Sequence, residues 1–309
     1  MPNHDQHLPT GEQITISHGE YSATIASVGA SLRELTFAGR DLVVPFAATR
    51  IRPVFRGAIL APWPNRIVDG VYTFDGVEYQ LPLTEPSRGH ALHGLLAWTR
   101  WAVEQAADSS VTLATEVVPS DGYPFPLDVR VTYALDDDGL TTTVAAVNRG
   151  VVDAPYGTAP HPYLTAGPGH VDDWTLTLPA ADFLDVTEDR LIPTGVGSVE
   201  SRVEFDFRSP RVLGSLFIDH AFTGLARDDE GQTEVRVTAP GGTGVRMTWG
   251  TELPWVQIHT ADRPEEALNR LGLAVEPMTC PPDAFSTGTD VVRLAPGASH
   301  TVSWTIATL

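Results

Sequence analysis

The chain has 309 residues with 39 Asp and Glu against 20 Lys and Arg, a formal net charge of -19, which excludes a partner held through clustered cations, a nucleic-acid backbone above all. A hydrophobic share of 42% is enough for one large core, while no run approaches the ~20 apolar residues of a membrane span. The lone Cys280 rules out an internal disulfide framework and reads as structurally inert. The N-terminal stretch "MPNHDQHLPTGEQ" lacks the basic and apolar regions of a secretory signal, so the expected compartment is the cytoplasm.

In chain order, "QITISHGEYSATIAS" opens a series of short β-type runs. Arg50, Arg52, Arg56 and Arg66 then fall close together in "TRIRPVFRGAILAPWPNRI", and pairing with some of the many carboxylates is the expectation, against a locally positive region. In "VYTFDGVEYQL" the Asp75-Gly76 dipeptide between alternating segments predicts a tight hairpin, because both residues tolerate positive φ. "VTLATEVV" and "LDVRVTYALDDDGLTTTVAAV" follow, the latter predicting a hairpin with a longer loop. "WTLTLPA", "TEVRVTA", "GVRMTWG" and "WVQIHTA" continue the pattern. "DRPEEALNRLG" is the best helical segment, with Asp262 as cap, Pro264 in the first turn and Gly272 as terminator. Strands at this spacing, punctuated by 27 Gly and 25 Pro, predict an all-β fold of two large packed antiparallel sheets. With no linker or repeat, residues 1–309 read as a single domain.

Four places carry chemistry. In "LAVEPMTCPPDAF", Glu276 ends an apolar run, and Pro277 is expected to stop the ladder there and leave the carboxylate at a rim. In "YGTAPHPYLTAG", His161 is presented rigidly between Pro160 and Pro162; taken alone it reads first as a buried, hydrogen-bonded imidazole and only second as a catalytic one. In "HALHGLLAW", His90 and His93 have the spacing of metal ligands only on a helix, and the Gly-rich β context disfavours zinc. In "LFIDHAF", Asp219 interrupts an apolar run, suited either to accepting hydrogen bonds from adjacent sugar hydroxyls or to fixing a loop.

Taken together and in order, "PWPNRIVDGVYTFDGVEYQL", "HALHGL", "APHPYL", "IDHAF" and "VEPMTCPPDAF" resemble the motifs of the aldose 1-epimerase (galactose mutarotase) family, in particular a bacterial subgroup with PWPNR and EPMT. The closing "LAPGASHTVSWTIATL" is similar to the family's last strand pair, while Leu164 and Leu95 stand where the family more often has Phe and Gly. The resemblance implies a β-supersandwich whose groove binds a pyranose. By position it implies Glu276 as general base, His161 as general acid, His93 and Arg66 as acid-assisting or hydroxyl-binding residues, Asp219 as a hydroxyl ligand and Asn65 as a further binding residue. It also implies no metal and no organic cofactor, a small-molecule sugar as the only required partner, and a monomer or homodimer. Anomer exchange needs a base at the C1 hydroxyl and an acid at the ring oxygen, and a Glu–His pair supplies both.

Three other readings stay open on sequence. A glycoside hydrolase would use Glu276 and Asp219 as its two carboxylates. A sugar-binding module would keep the fold without the chemistry. An epimerase of a phosphorylated or other anionic hexose would clamp the charge with arginines such as Arg50, Arg52 and Arg56.

Overall fold

The computed structural model describes residues 8–309, whose regular secondary structure is almost entirely strand, with Ala284–Thr287 as the one α-helical turn among them. Residues 1–7, part of the stretch without a secretory-signal pattern, lie outside the described residues. The largest sheet has nine strands in the order Ala102–Ala106, Ser110–Val117, Leu127–Asp136, Gly139–Asn148, Ser299–Thr308, Gly244–Trp249, Thr233–Thr238, Thr175–Thr177 and Arg211–Val212. A second sheet has six, in the order Tyr163–Leu164, Leu273–Met278, Trp255–His259, Asp219–Leu225, Ala180–Val186 and Pro193–Ser198. An N-terminal four-stranded sheet runs from Gln13–His18 to Arg40–Asp41. All strand pairings in these three sheets are antiparallel.

Period-two patterning explains how the sheets stack. Leu127, Val129, Val131, Tyr133 and Leu135 are buried on one face of their strand, and Leu140, Thr142, Val144 and Ala146 follow suit on the next. All of these but Thr142 join Ile25 and Leu35 of the N-terminal sheet and Phe222, Val256, Ile258 and Val275 of the six-stranded sheet in one apolar cluster. The opposite face of the six-stranded sheet therefore points away from that core, and Glu276, Gln257, His259 and Asp219 sit there.

The Asp75-Gly76 hairpin forms as expected, with φ of 50° and 79° and Phe74 opposite Val77. The loop after Leu127–Asp136 is shorter than expected: Asp136 pairs with Gly139, leaving only Asp137 and Asp138 to turn. The closing run forms two strands, but Val292–Leu294 pairs with Ala154–Tyr156, whereas Ser299–Thr308 lies between Gly139–Asn148 and Gly244–Trp249.

The predicted helix over 262–272 is not formed. A single 3-10 turn, Glu266–Leu268, occupies the segment. Its local helix signals are outbid by distant contacts: Asp262 accepts from Thr260 and from Arg270 instead of capping, and the Asn269 side chain takes the Arg263 N–H at 2.8 Å. Arg270, 5% exposed, also reaches Asp172 and the carbonyls of Gly214 and Leu216, and the loop closes through its N–H on the Ala261 carbonyl at 2.9 Å. A helix would carry Arg270 away from those partners.

The expected pairing of the early arginines with carboxylates holds only for Arg66. Arg52 donates to the carbonyls of Val28 and Ala97 and to Ser31, with Trp98 beneath it; Arg56 donates to the Pro45 carbonyl over the Tyr163 ring. Among the described residues neither has an ion pair, and both are buried structural cations held by carbonyl dipoles and aromatic faces.

Candidate active site

Strand register brings the site together. On the exposed-from-core face of the six-stranded sheet, Glu276 lies beside Gln257, and the next row sets Ala274, His259 and Asp219 side by side. The expectation that Pro277 ends the ladder and leaves Glu276 at a rim is corrected: the strand runs on to Met278, Pro277 stands opposite Val256, and Glu276 is 2% exposed. The neighbour on the other side, Tyr163–Leu164, reaches only Ala274, so beyond it the strand has a free side where a missing N–H is tolerated.

His161 arrives from the chain segment that crosses this face. Its N–H bonds the Ala58 carbonyl at 3.0 Å, its carbonyl accepts from Gly57 at 2.7 Å, and Ala159 and Pro160 pair with Leu60 and Ile59. The prolines and these bonds fix the imidazole between rings: Tyr163 stacks at 5.2 Å, Phe55 lies near-parallel at 6.4 Å, and His93 meets it edge-on at 5.0 Å. His93 sits in a left-handed turn, φ 63°, followed by Gly94 at φ 70°. A side chain at Gly94 would place its Cβ 2.2 Å from the Ala61 carbonyl oxygen, so only glycine lets that turn approach.

The third wall is Asn65–Arg66. Asn65 turns at φ 53°, its Oδ1 accepts the Arg66 N–H at 2.9 Å, and its carbonyl accepts the His93 N–H at 2.8 Å. Arg66 grips Glu85 with two bonds of 2.8 and 3.1 Å and lies 3.7 Å from Asp219. Asp219 in turn accepts from the Gln257 amide at 2.7 Å.

All six candidate residues, Glu276, His161, His93, Asp219, Arg66 and Asn65, line one cavity of about 190 Å³. At about 30 Å³ per water, that is room for about six waters or one small polar molecule. His90 is turned elsewhere, with Nε2 on the Arg190 carbonyl at 2.9 Å, so it does not converge with His93. A larger depression of about 660 Å³ lies on the nine-stranded sheet, but its Arg236 and Arg246 are already paired with Glu234. The six candidate residues converge on the smaller cavity, not on this one.

The central contact is His161 Nε2 to Glu276 Oε1 at 3.4 Å. Burial, reinforced by Asp219, pushes the Glu276 carboxyl well above its ordinary range, against the opposing pull of Arg66. Burial, with His259 nearby, lowers His161 to about 3. Both shifts favour the neutral form of each group, so a proton shared by the pair is favoured on the carboxyl. Burial also depresses His93, whereas Asp219, despite burial, is held below its ordinary value by His259, Arg66 and the Gln257 amide and stays ionised. Glu276 Oε2, Gln257 Oε1, His161 Nδ1 and His93 Nδ1 are buried without a protein partner among the described residues, all four on residues that line the cavity.

Gln257, His259, Arg263 and Glu85 also line the cavity and were not singled out from the sequence. Gln257 and His259 had a signal, since "VQIH" alternates apolar and polar on a strand. Glu85 and Arg263 had none, because each reaches the site from a loop.

The fold and site define a sugar-isomerising β-sandwich enzyme, and comparison with known proteins gives the family. The sequence model of aldose 1-epimerase matches residues 12–307. The chain is 39% identical over 298 residues to the uncharacterised protein YihR of Escherichia coli (strain K12), covering 96% of this chain and 93% of that one. It is 30% identical to galactose mutarotase of Sus scrofa over 82% of this chain and 80% of that protein. Among solved structures, the GalM/aldose epimerase homologue from C. elegans superimposes with a TM-score of 0.83 at 23% identity, covering 96% and 99% of the two chains. A putative aldose 1-epimerase from Escherichia coli K12 gives 0.82 at 24%, with the same coverage. The chain belongs to the aldose 1-epimerase family: it is an isomerase of sugars with a galactose mutarotase-like fold.

Proposed function

We propose that this enzyme interconverts the α and β anomers of a hexopyranose by opening and reclosing the ring, with Glu276 and His161 as its proton carriers. The observation that carries the reading is their 3.4 Å contact in a buried cavity ringed by hydroxyl-binding groups. The pair holds one proton between them, the number that anomer exchange requires. Transfer of that proton from Glu276 to His161 Nε2 gives the reactive form. The carboxylate then takes the C1 hydroxyl proton as the imidazolium protonates O5, the C1–O5 bond breaks, and an open-chain aldehyde forms. Rotation about C1–C2 and the reverse transfers close the other anomer and return both protons.

His93, edge-on to His161 and buried, excludes water from the acid and offers its ring to the sugar. Asp219 and Arg66, fixed by Gln257 and Glu85, suit neighbouring hydroxyls, and Asn65 holds Arg66 in place. Glycoside hydrolysis by Glu276 and Asp219 is less well supported, since Asp219 is held by Gln257 and Arg66 while His161 is the group in contact with Glu276. Polarimetry on fresh single anomers tests the reading: acceleration of the change in rotation supports it. Release of aglycone from aryl glycosides without that acceleration would replace it with hydrolysis, and binding without either would leave a sugar-binding protein.

A further inference from the structure

The cavity wall holds three guanidinium groups, and they are not equivalent. Arg66 is matched by Glu85 and Asp219, and Arg88 by Glu85 at 2.9 Å. Arg263 has no carboxylate in ion-pair range among the described residues. Its Nη2 lies 3.4 Å from His259 Nε2, and its Nε is buried without a partner among the described residues. Its sequence neighbour Asp262 is committed to Arg270 at 2.9 Å and to Thr260. His259 cannot neutralise it: Nδ1 lies 3.3 Å from the Ile218 carbonyl and so carries the hydrogen, leaving Nε2 as a lone pair for the arginine.

We propose that the sugar turned over here carries a single negative charge on its exocyclic C6 carbon, and that Arg263 binds that charge. The inference rests on the mutarotase reading above and deepens it. Arg52 and Arg56 also lack carboxylates but give their guanidinium hydrogens to carbonyls; the Arg263 guanidinium meets no carbonyl among the described residues and lines the cavity, so in a chain of net charge -19 its charge is left for an anion that arrives with the ligand. The loop is built to aim it: the Arg263 N–H is held by Asn269 at 2.8 Å, and buried Arg270 anchors the loop base.

Placement follows from the chemistry of the ring. If Glu276 faces the C1 hydroxyl and His161 faces O5, the next ring atom beyond O5 is C5, which bears C6. Arg263 stands on that side: it meets His259 in the sheet row Tyr163, Ala274, His259 and Asp219, and His161 stacks on Tyr163 at the near end of that row, whereas Arg66 meets its far end at Asp219. One unmatched guanidinium compensates one charge. A second charge, as on a phosphate dianion, would meet Asp262 and Asp219 in the same wall. A monoanion of the carboxylate or sulfate kind fits better.

The experiment is anomerisation of glucose, galactose, glucuronate, glucose 6-sulfate and glucose 6-phosphate by wild type, Arg263→Gln and Arg263→Lys, with binding of each sugar measured separately by calorimetry. For wild type, kcat/KM for glucuronate or the 6-sulfate should exceed that for the neutral sugars by about tenfold or more, the equivalent of one modest charged contact. The 6-sulfate should also exceed the 6-phosphate. Arg263→Gln should cut the anion-to-neutral ratio by about tenfold, Arg263→Lys should restore part of it, and added salt should shrink it. Wild-type preference for a neutral sugar, a ratio unchanged in Arg263→Gln, or 6-phosphate as the best substrate would each overturn the proposal. If Arg263→Gln does not fold, the wild-type panel and the lysine variant still decide. Tighter binding of the monoanions with no anomerisation of any sugar would sink the mutarotase reading and leave this inference standing; fast anomerisation without anion preference would do the reverse.

Discussion

Along the strand Leu273–Met278, Val275 points into the common apolar cluster with Ile258 and Phe222, while Glu276 points to the cavity beside Gln257. Exposure does not separate the two faces: Val275 and Ile258 are 0% exposed, Glu276 and Gln257 2%. What separates them is satisfaction. On the core face Val275, Ile258 and Phe222 gain by removing apolar surface from water and bring no polar side-chain atom that needs a partner. The cavity face carries buried polar atoms without protein partners, which cost stability. Stability and chemistry therefore divide between two sides of one sheet, and substitutions can be chosen to break that division.

The largest effect on rate is expected from Glu276→Gln. The amide keeps shape and burial but carries no transferable proton, so turnover should fall toward the upper end of about 10²–10⁴-fold. Because the wild-type carboxyl is itself neutral in the ligand-free site, melting temperature should barely move. Turnover within a few-fold of wild type removes Glu276 from the mechanism. The mirror image is Phe222→Ala on the core face, which should cost about 3–5 kcal/mol of stability while the folded fraction turns over within a few-fold of normal. Denaturant titration and polarimetry on the same samples measure both.

His161→Asn comes next, with a loss of about 10²-fold in kcat and a smaller change in KM. If the imidazole is only structural, the result inverts, with a lower melting temperature and near-normal turnover in what stays folded.

Such contrasts also mark what was legible in the sequence. Apolar alternation and the Asp75-Gly76 turn are local, and they gave the strands and the first hairpin. The proline-flanked His161 and the lone carboxylate in "LFIDHAF" stood out because each breaks an apolar pattern. Illegible were groups whose environment is set at long range. Nothing near Asp262 announces Arg270 and Asp172, so a helix-like segment becomes a loop. Nothing near Arg52 announces the Val28 and Ala97 carbonyls. The rim position expected for Glu276 failed for a similar reason, because Pro277 forbids a bond only on a side where no strand lies.

The pH profile sharpens the comparison further. On ordinary values, with the carboxylate as base and the imidazole as acid, rate would rise through about 4.3 and fall through about 6.5. The buried pair reverses the assignment. Its one-proton form is lost on the acid side when His161 also protonates, at about 3, and on the alkaline side only when Glu276 ionises, well above its usual range. A broad plateau across neutrality in kcat/KM is expected for the free enzyme. An alkaline limb near the ordinary imidazole value would show instead that the proton rests on His161.

The smallest effect separates two histidines on the two faces. His220 lies on the core face with its ring 4.7 Å from Phe205, and burial lowers it to about 4. His161 is lowered to about 3 on the other face. In each case the unfolded chain takes up a proton near 6.5 and the folded chain does not until far lower, so stability is full above 6.5 and is lost as pH falls toward 4. Each such group adds a slope of up to about 1.4 kcal/mol per pH unit within that window. His220→Asn, whose amide oxygen can still accept the Asp219 N–H, should flatten the acid slope by one proton and leave turnover unchanged. His161→Asn should flatten it by the same amount and lose turnover. Equal loss of turnover in both variants would mean that the two faces of the sheet do not divide stability from chemistry after all.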